Sequence, residues 1–269
     1  MDTNKVILIT GASSGIGKAT ALFLHEKGYK VYGTSRQPQK YAFPFPMVYM
    51  DLEEHTSIEK CVQEILSKEG RIDVLINNAG IAIIGPVEDT TEEEVFKTFN
   101  TNVFGVHSVI KNVLPIMRKQ RSGYIINISS IGGQIGLPYR AIYSATKFAV
   151  EGLSEALRLE VEPFDIKTVI VQPGDMKTEI NNHRLIAKHA LNGSVYKKGF
   201  EKYQERVNKE VENGCPPQEV AKTIYQIINT PKPKLRYRVG FFSQKISIPV
   251  KNILPSGLFE KILKIHYDL

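Results

Sequence analysis

Apolar residues along this chain follow two alternating patterns. Runs at 6–10, 30–35, 47–51, 74–77, 124–129 and 168–172 are rich in β-branched and apolar residues, which predicts strands. Between and after them, 16–27, 57–68, 91–120, 143–162 and 217–228 carry apolar residues at three- and four-residue spacing, which predicts amphipathic helices. Strand and helix in repetition imply right-handed crossovers and a parallel sheet covered by helices on both faces. The expected fold is therefore α/β and doubly wound. No repeat or Gly/Ser linker divides the sequence, so residues 1–269 are expected to form a single domain.

The rhythm lapses at 178–215, a polar and charged stretch directly after the sixth strand run. An open parallel sheet places its ligand crevice beyond the carboxyl ends of its strands, so this stretch reads as a substrate lid. A solvated helical excursion with no part in the chemistry is the other reading. Near the C-terminus, 254–266 mixes apolar residues with lysines in an amphipathic pattern. Such a segment can roof a pocket or lie on a membrane surface; packing against the domain or a partner subunit is the expected fate.

Composition narrows the choice of function. The formal net charge is +7, yet basic and acidic residues intermingle except toward the C-terminus, so no nucleic-acid groove is expected. Cys61 and Cys215 lie far apart with no companion spacing, and the six histidines show no ligand pattern, so neither a disulfide nor a metal site is predicted. No apolar run is long enough to span a bilayer and no secretory leader is read, which gives the expectation of a cytoplasmic protein.

The first strand run leads into Thr10-Gly11-Ala12-Ser13-Ser14-Gly15-Ile16-Gly17, and a helix follows at once. Gly11 suits the turn, Gly15 lets backbone approach a pyrophosphate, and Gly17 permits close packing of helix on strand. The helix start offers free N–H groups and a positive dipole end to phosphates. Dinucleotide binding is the reading that this placement favours.

The pattern T-G-x-x-x-G-x-G resembles that of the short-chain dehydrogenase/reductase family. So do Asn77-Asn78-Ala79-Gly80, Asn102 within the long helical run at the place of the family's helix-bending asparagine, Tyr143-x-x-x-Lys147, and Pro173-Gly174 with Thr178. These elements run from 6 to 178 in the family's order. The resemblance implies a Rossmann-type domain and a nicotinamide cofactor held by Gly11, Ser13, Ser14, Gly15, Ile16 and Gly17 at the turn. It further places Asn78, Ala79 and Gly80 beside the adenosine ribose, Asp51 and Leu52 beside the adenine, and Pro173, Gly174, Met176 and Thr178 at the nicotinamide.

The second strand run ends in Ser35-Arg36, where an NAD-preferring member would carry an acidic residue. Absence of that carboxylate and a guanidinium able to fork onto a 2′-phosphate argue for NADP(H). Ser14 adds a hydroxyl, although some NADP-type members have a basic residue there.

Tyr143 and Lys147 lie one helical turn apart, so their side chains share a face. An ammonium near a phenol favours the phenolate. By resemblance, Lys147 also binds the nicotinamide ribose and Tyr143 exchanges a proton with the substrate oxygen. Two hydroxyls, Ser129 and Ser130, stand at the end of the fifth strand run; the family's spacing selects Ser130, to stabilise charge on that oxygen. Asn102 would hold a water that links Lys147 to solvent.

The segment 132–138, with 148–153, looks like the hydroxysteroid and retinol dehydrogenase branch, which implies an apolar alcohol or ketone. The expected activity is interconversion of an alcohol and a carbonyl by an NADP(H)-dependent homo-oligomer. A sugar epimerase or dehydratase would use the same Tyr/Lys pair but usually shows T-G-x-x-G-x-x-G and a longer C-terminal substrate region. A silent cofactor-binding or redox-sensing module would typically have lost the tyrosine or the lysine, and this chain keeps both.

Overall fold

The computed structural model describes residues 4–269. Residues 1–3, where no secretory leader was read, and the side chains of Asn182 and His183, the latter read as having no metal role, lie outside the described part. The chain runs β1 (Val6–Ile9), α1 (Gly15–Glu26), β2 (Lys30–Ser35), β3 (Met47–Tyr49), α2 (His55–Glu69), β4 (Val74–Asn77), β5 (Ile83–Ile84) and α3 (Glu92–Phe99). A π-helical turn, Asn100–Gly105, joins α3 to α4 (Val106–Gln120). Then come β6 (Gly123–Ile128), α5 (Ala141–Val161), β7 (Ile166–Pro173), α6 (Ile180–His183), β8 (Leu185–Ile186), α7 (Lys197–Glu212), α8 (Gln218–Ile228), β9 (Arg236–Val239), α9 (Phe242–Ile253) and α10 (Ser256–Tyr267).

Seven strands pair in the order β3-β2-β1-β4-β6-β7-β9, all parallel. The apolar runs follow from burial on both faces. In β1, Val6 and Leu8 join a core with Ile58, Val62, Val109, Val113 and Leu157 of α2, α4 and α5. Ile7 and Ile9 face the other way, onto Ala21 and Leu24 of α1 and Val220 and Ile224 of α8. The sheet is thus doubly wound as expected, and its order reverses between β1 and β4, where a crevice opens at the strands' carboxyl ends.

The helical run 91–120 is interrupted at its middle by the π-helical turn, which contains Asn102, where the family resemblance implies a bend. Two features depart from the sequence reading. The stretch 178–215 is less irregular than expected: Leu185–Ile186 pairs with Ile83–Ile84, and α7 buries Phe200, Tyr203, Val207 and Val211 along one side. After α8 the chain adds β9 to the sheet edge and a further helix, α9, ahead of α10, which covers the amphipathic segment read at 254–266. No helix of the described residues is long and apolar enough to cross a membrane.

Candidate active site

The glycine turn is locked from the far side of the β1/β4 boundary. Thr10 Oγ1 accepts hydrogen bonds from the main-chain N–H groups of Asn78 and Ala79, both at 3.0 Å. The Asn78 side-chain amide donates to the carbonyls of Thr10 at 2.9 Å and Gly11 at 3.0 Å. That closeness explains two of the glycines. Gly11 has φ +65°, and a Cβ there would lie 2.9 Å from Ala79 Cα; at Gly17 it would lie 2.2 Å from the Gly11 carbonyl oxygen. Ser14 stands at the N-cap of α1 without a side-chain capping bond, and no acidic residue occupies the first turn, so the helix start can receive an anion.

One cleft of about 1950 Å³ runs from this turn across the sheet. All the expected site residues line it except Gly17, which packs behind the turn, and Asn102. At one end Arg36 follows β2 and is exposed, with no carboxylate paired to it among the described residues. Asp51 and Leu52, after β3, form the adjoining wall. At the other end Ser130, Tyr143 and Lys147 converge with the Pro173, Gly174, Met176 and Thr178 segment.

Ser130 and Tyr143 sit side by side: a Cβ at Gly132 would lie 3.4 Å from Ser130 Oγ and 3.6 Å from the Tyr143 ring. Ser130 Oγ accepts from Gly132 N–H at 3.0 Å, which fixes its rotamer. Ser129 is turned away: its hydroxyl is buried without a hydrogen-bond partner, against Gly133, where a Cβ would come within 2.4 Å of it. Geometry therefore places Ser130, and not Ser129, beside the tyrosine.

Lys147 Nζ donates to the Ile128 carbonyl at 2.9 Å and lies 5.8 Å from the Tyr143 ring centre. Burial pushes this ammonium down to about 8, opposed by the Glu151 carboxylate. Burial likewise raises the Tyr143 phenol above its ordinary value; the Ser130 hydroxyl and the Arg140 guanidinium pull it down, and Asp175 pushes it up. Arg140, a residue the sequence reading did not single out, is thus a second cation near the phenol beside Lys147. Asn102 is buried, and its side-chain amide is committed to Ile81 N–H, to the Ile81 carbonyl, both at 2.8 Å, and to Thr146 Oγ1 at 3.1 Å. A water relay through Asn102 would run from its main chain.

Sequence reasoning also passed over Asp175 and Gln244. Asp175 directly follows Pro173-Gly174, and only cofactor contacts were weighed for that segment. Gln244 Nε2 donates to the Asp175 carboxylate, while Gln244 Oε1 accepts from Asp175 N–H at 3.3 Å. Burial raises the Asp175 carboxyl, with the nearby Arg140 charge opposing. Above these groups, α9 and α10 contribute an apolar wall that includes Ile246, Val250, Phe259 and Leu263, while α7 lines the cleft mostly with charged residues such as Lys202, Glu205, Arg206 and Glu210.

Residues 5–188 match the family described as short chain dehydrogenase, a span that contains the turn, the serine and the Tyr/Lys pair. The chain belongs to the short-chain dehydrogenase/reductase family of oxidoreductases. It is 47% identical over 265 residues to a 3-ketodihydrosphingosine reductase of Bacteroides thetaiotaomicron, covering 98% of each chain, so this likeness extends through the C-terminal helices. A solved short-chain dehydrogenase from Streptomyces avermitilis superposes with a TM-score of 0.85 at 31% identity, covering 99% of this chain and 98% of that one. The structure of ElxO with NADP bound is similar at a TM-score of 0.69 and 30% identity, over 87% of this chain and 95% of the other.

Proposed function

We propose that this short-chain dehydrogenase/reductase is an NADP(H)-dependent reductase of an apolar, long-chain ketone. What carries the reading is the adjacent Ser130 and Tyr143 side chains with buried Lys147, set in the same cleft as the glycine turn and Arg36. Family members of this fold are solved with NAD in some cases and NADP in others, so the cofactor choice rests on residues at the end of β2. Ser35 leaves room where a carboxylate would repel a 2′-phosphate, and the unpaired Arg36 can bind that phosphate in two-pronged fashion. Phosphates would lie against the N–H groups at the start of α1, beside Ser13, Ser14, Gly15 and Ile16. Asp51 and Leu52 would border the adenine. Asn78, Ala79 and Gly80 would follow the ribose. Pro173, Gly174, Met176 and Thr178 would hold the carboxamide.

When bound, the reduced nicotinamide supplies the hydride. Ser130 donates a hydrogen bond to the substrate carbonyl oxygen and stabilises the charge that grows there. Tyr143 donates its phenolic proton to the same oxygen; in the oxidative direction it takes that proton back. The Lys147 ammonium, with Arg140, favours the transient phenolate, and Lys147 would pass on the returning proton from solvent by way of a water held at Asn102.

The Bacteroides relative's name gives the substrate class its direction. 3-Ketodihydrosphingosine is a long-chain amino ketone. Its chain would run along the apolar wall of α9 and α10, and Asp175 would face its ammonium. The segment 178–215 acts as the cover of this end of the cleft. Exposed Phe96, Phe104, Phe148 and Leu159 on the long helices supply a surface for self-association. The test is initial-rate reduction of 3-ketodihydrosphingosine with NADPH and with NADH. NADPH is expected to give at least about tenfold higher kcat/KM; preference for NADH, or no turnover with either, would overturn the reading.

A further inference from the structure

The last two helices each show solvent an apolar stripe that nothing in the fold covers. In α9, Phe242, Ile246 and Ile253 recur at spacings that keep them on one side; in α10, Leu258, Ile262 and Ile265 do the same. Phe242 is 76% exposed, and Ile253 and Ile265 are each 80% exposed. These stripes are not the inward faces of loosely docked helices, because Ile248 and Phe259 are buried in a core with Ile131 and Ile135, and Tyr267 in another with Phe200 and Tyr203. Each helix thus has one apolar side turned in and a second turned out.

Lys245, Lys261 and Lys264 stand exposed beside the outward stripes, and none is held in an ion pair among the described residues. Long lysine side chains flanking an apolar stripe can lie along it and present their charge to an anionic plane. The same lysines on two copies of this chain would repel across a shared interface. The stripes also continue inward: Ile246 and Ile262 are at once part of them and part of the cleft wall.

We propose that the outward faces of α9 and α10 form a docking surface for an anionic phospholipid membrane. Phe242, Ile253 and Ile265 enter the acyl region and the lysines meet lipid phosphates. Ile246 and Ile262 then join that surface to the mouth of the cleft, so that a lipid ketone reaches Tyr143 without crossing bulk water; this last consequence rests on the function proposed above.

The experiment is sedimentation of the full-length protein with vesicles of phosphatidylcholine alone or mixed with phosphatidylglycerol, at low and high salt. No substrate is needed, so the outcome is independent of whether the ketone assignment holds. Wild type is expected to bind the anionic vesicles at least about tenfold better than the neutral ones, and less well at high salt. Phe242→Glu with Ile265→Glu, and separately Lys261→Glu with Lys264→Glu, are expected to lose that binding, with NADPH titration reporting that both variants are folded. Wild type that stays in the supernatant with anionic vesicles overturns the proposal. So does sedimentation equilibrium showing that the same substitutions dissociate a dimer of the lipid-free protein, which would make the stripes an interface between copies.

Discussion

Asn78 donates two hydrogen bonds to Thr10 across the β1/β4 boundary, from its N–H to Thr10 Oγ1 at 3.0 Å and from Nδ2 to the Thr10 carbonyl at 2.9 Å. The same threonine oxygen also accepts from Ala79 N–H. Thr10→Val keeps the shape but leaves two N–H groups without an acceptor. A loss of about 1–3 kcal/mol of stability is expected in urea unfolding, together with weaker NADPH binding because the glycine turn loosens.

Arg36 is the cofactor discriminator in this account. Arg36→Ala should raise the dissociation constant for NADPH by about 10- to 100-fold, the range of a lost charge-assisted contact, and leave that for NADH nearly unchanged. Fluorescence titration with each nucleotide measures both. Equal weakening of the two would remove Arg36 from the 2′-phosphate.

Lys147 makes native stability depend on pH. Its native value is lowered from the ordinary 10.5 to about 8, so between those values the unfolded state binds more protons than the native state. Stability attributable to this residue therefore rises with pH across that window, and the burial penalty is full below about pH 8. Relative to Lys147→Met, wild type is expected to gain up to about 3 kcal/mol in unfolding free energy between about pH 7 and pH 10.5. A difference independent of pH would show that the ammonium is not destabilised by burial.

At the sheet edge, Arg236 Nε bonds to buried Glu151 at 2.8 Å, its guanidinium also meets Glu155, and Gln172 donates to Glu151 at 3.0 Å. Arg236→Met would strand the Glu151 charge. A loss of about 3–5 kcal/mol is expected at neutral pH, with part recovered in the double variant that also carries Glu151→Gln.

That network shows why one strand escaped the sequence. Arg236, Tyr237 and Arg238 are only half-buried, and the charged residue is tolerated because Glu151 meets it from α5, far away in the chain. The six central strand runs were legible because burial on both faces forces apolar residues at successive positions, as in β1. In α7 the signal was present, since Phe200, Tyr203, Val207 and Val211 keep helical spacing, but the lysines and glutamates around them hid it. The π-helical turn leaves no apolar pattern of its own; the resemblance marks its place only through Asn102, whose side chain bonds to distant Ile81. Of the site, the turn and the Tyr143/Lys147 pair were legible through fixed spacing. Arg140, Asp175 and Gln244 were not, as they meet only once α9 and the loop after β7 are folded together.

The central claim is that Tyr143 moves the proton that accompanies hydride transfer. It is tested by mixing the NADPH complex with 3-ketodihydrosphingosine in a single turnover and following nicotinamide absorbance for wild type and Tyr143→Phe. The account predicts that the variant binds NADPH as wild type does and that its rate falls by about 10²- to 10⁴-fold. An unchanged rate with intact NADPH binding would contradict it.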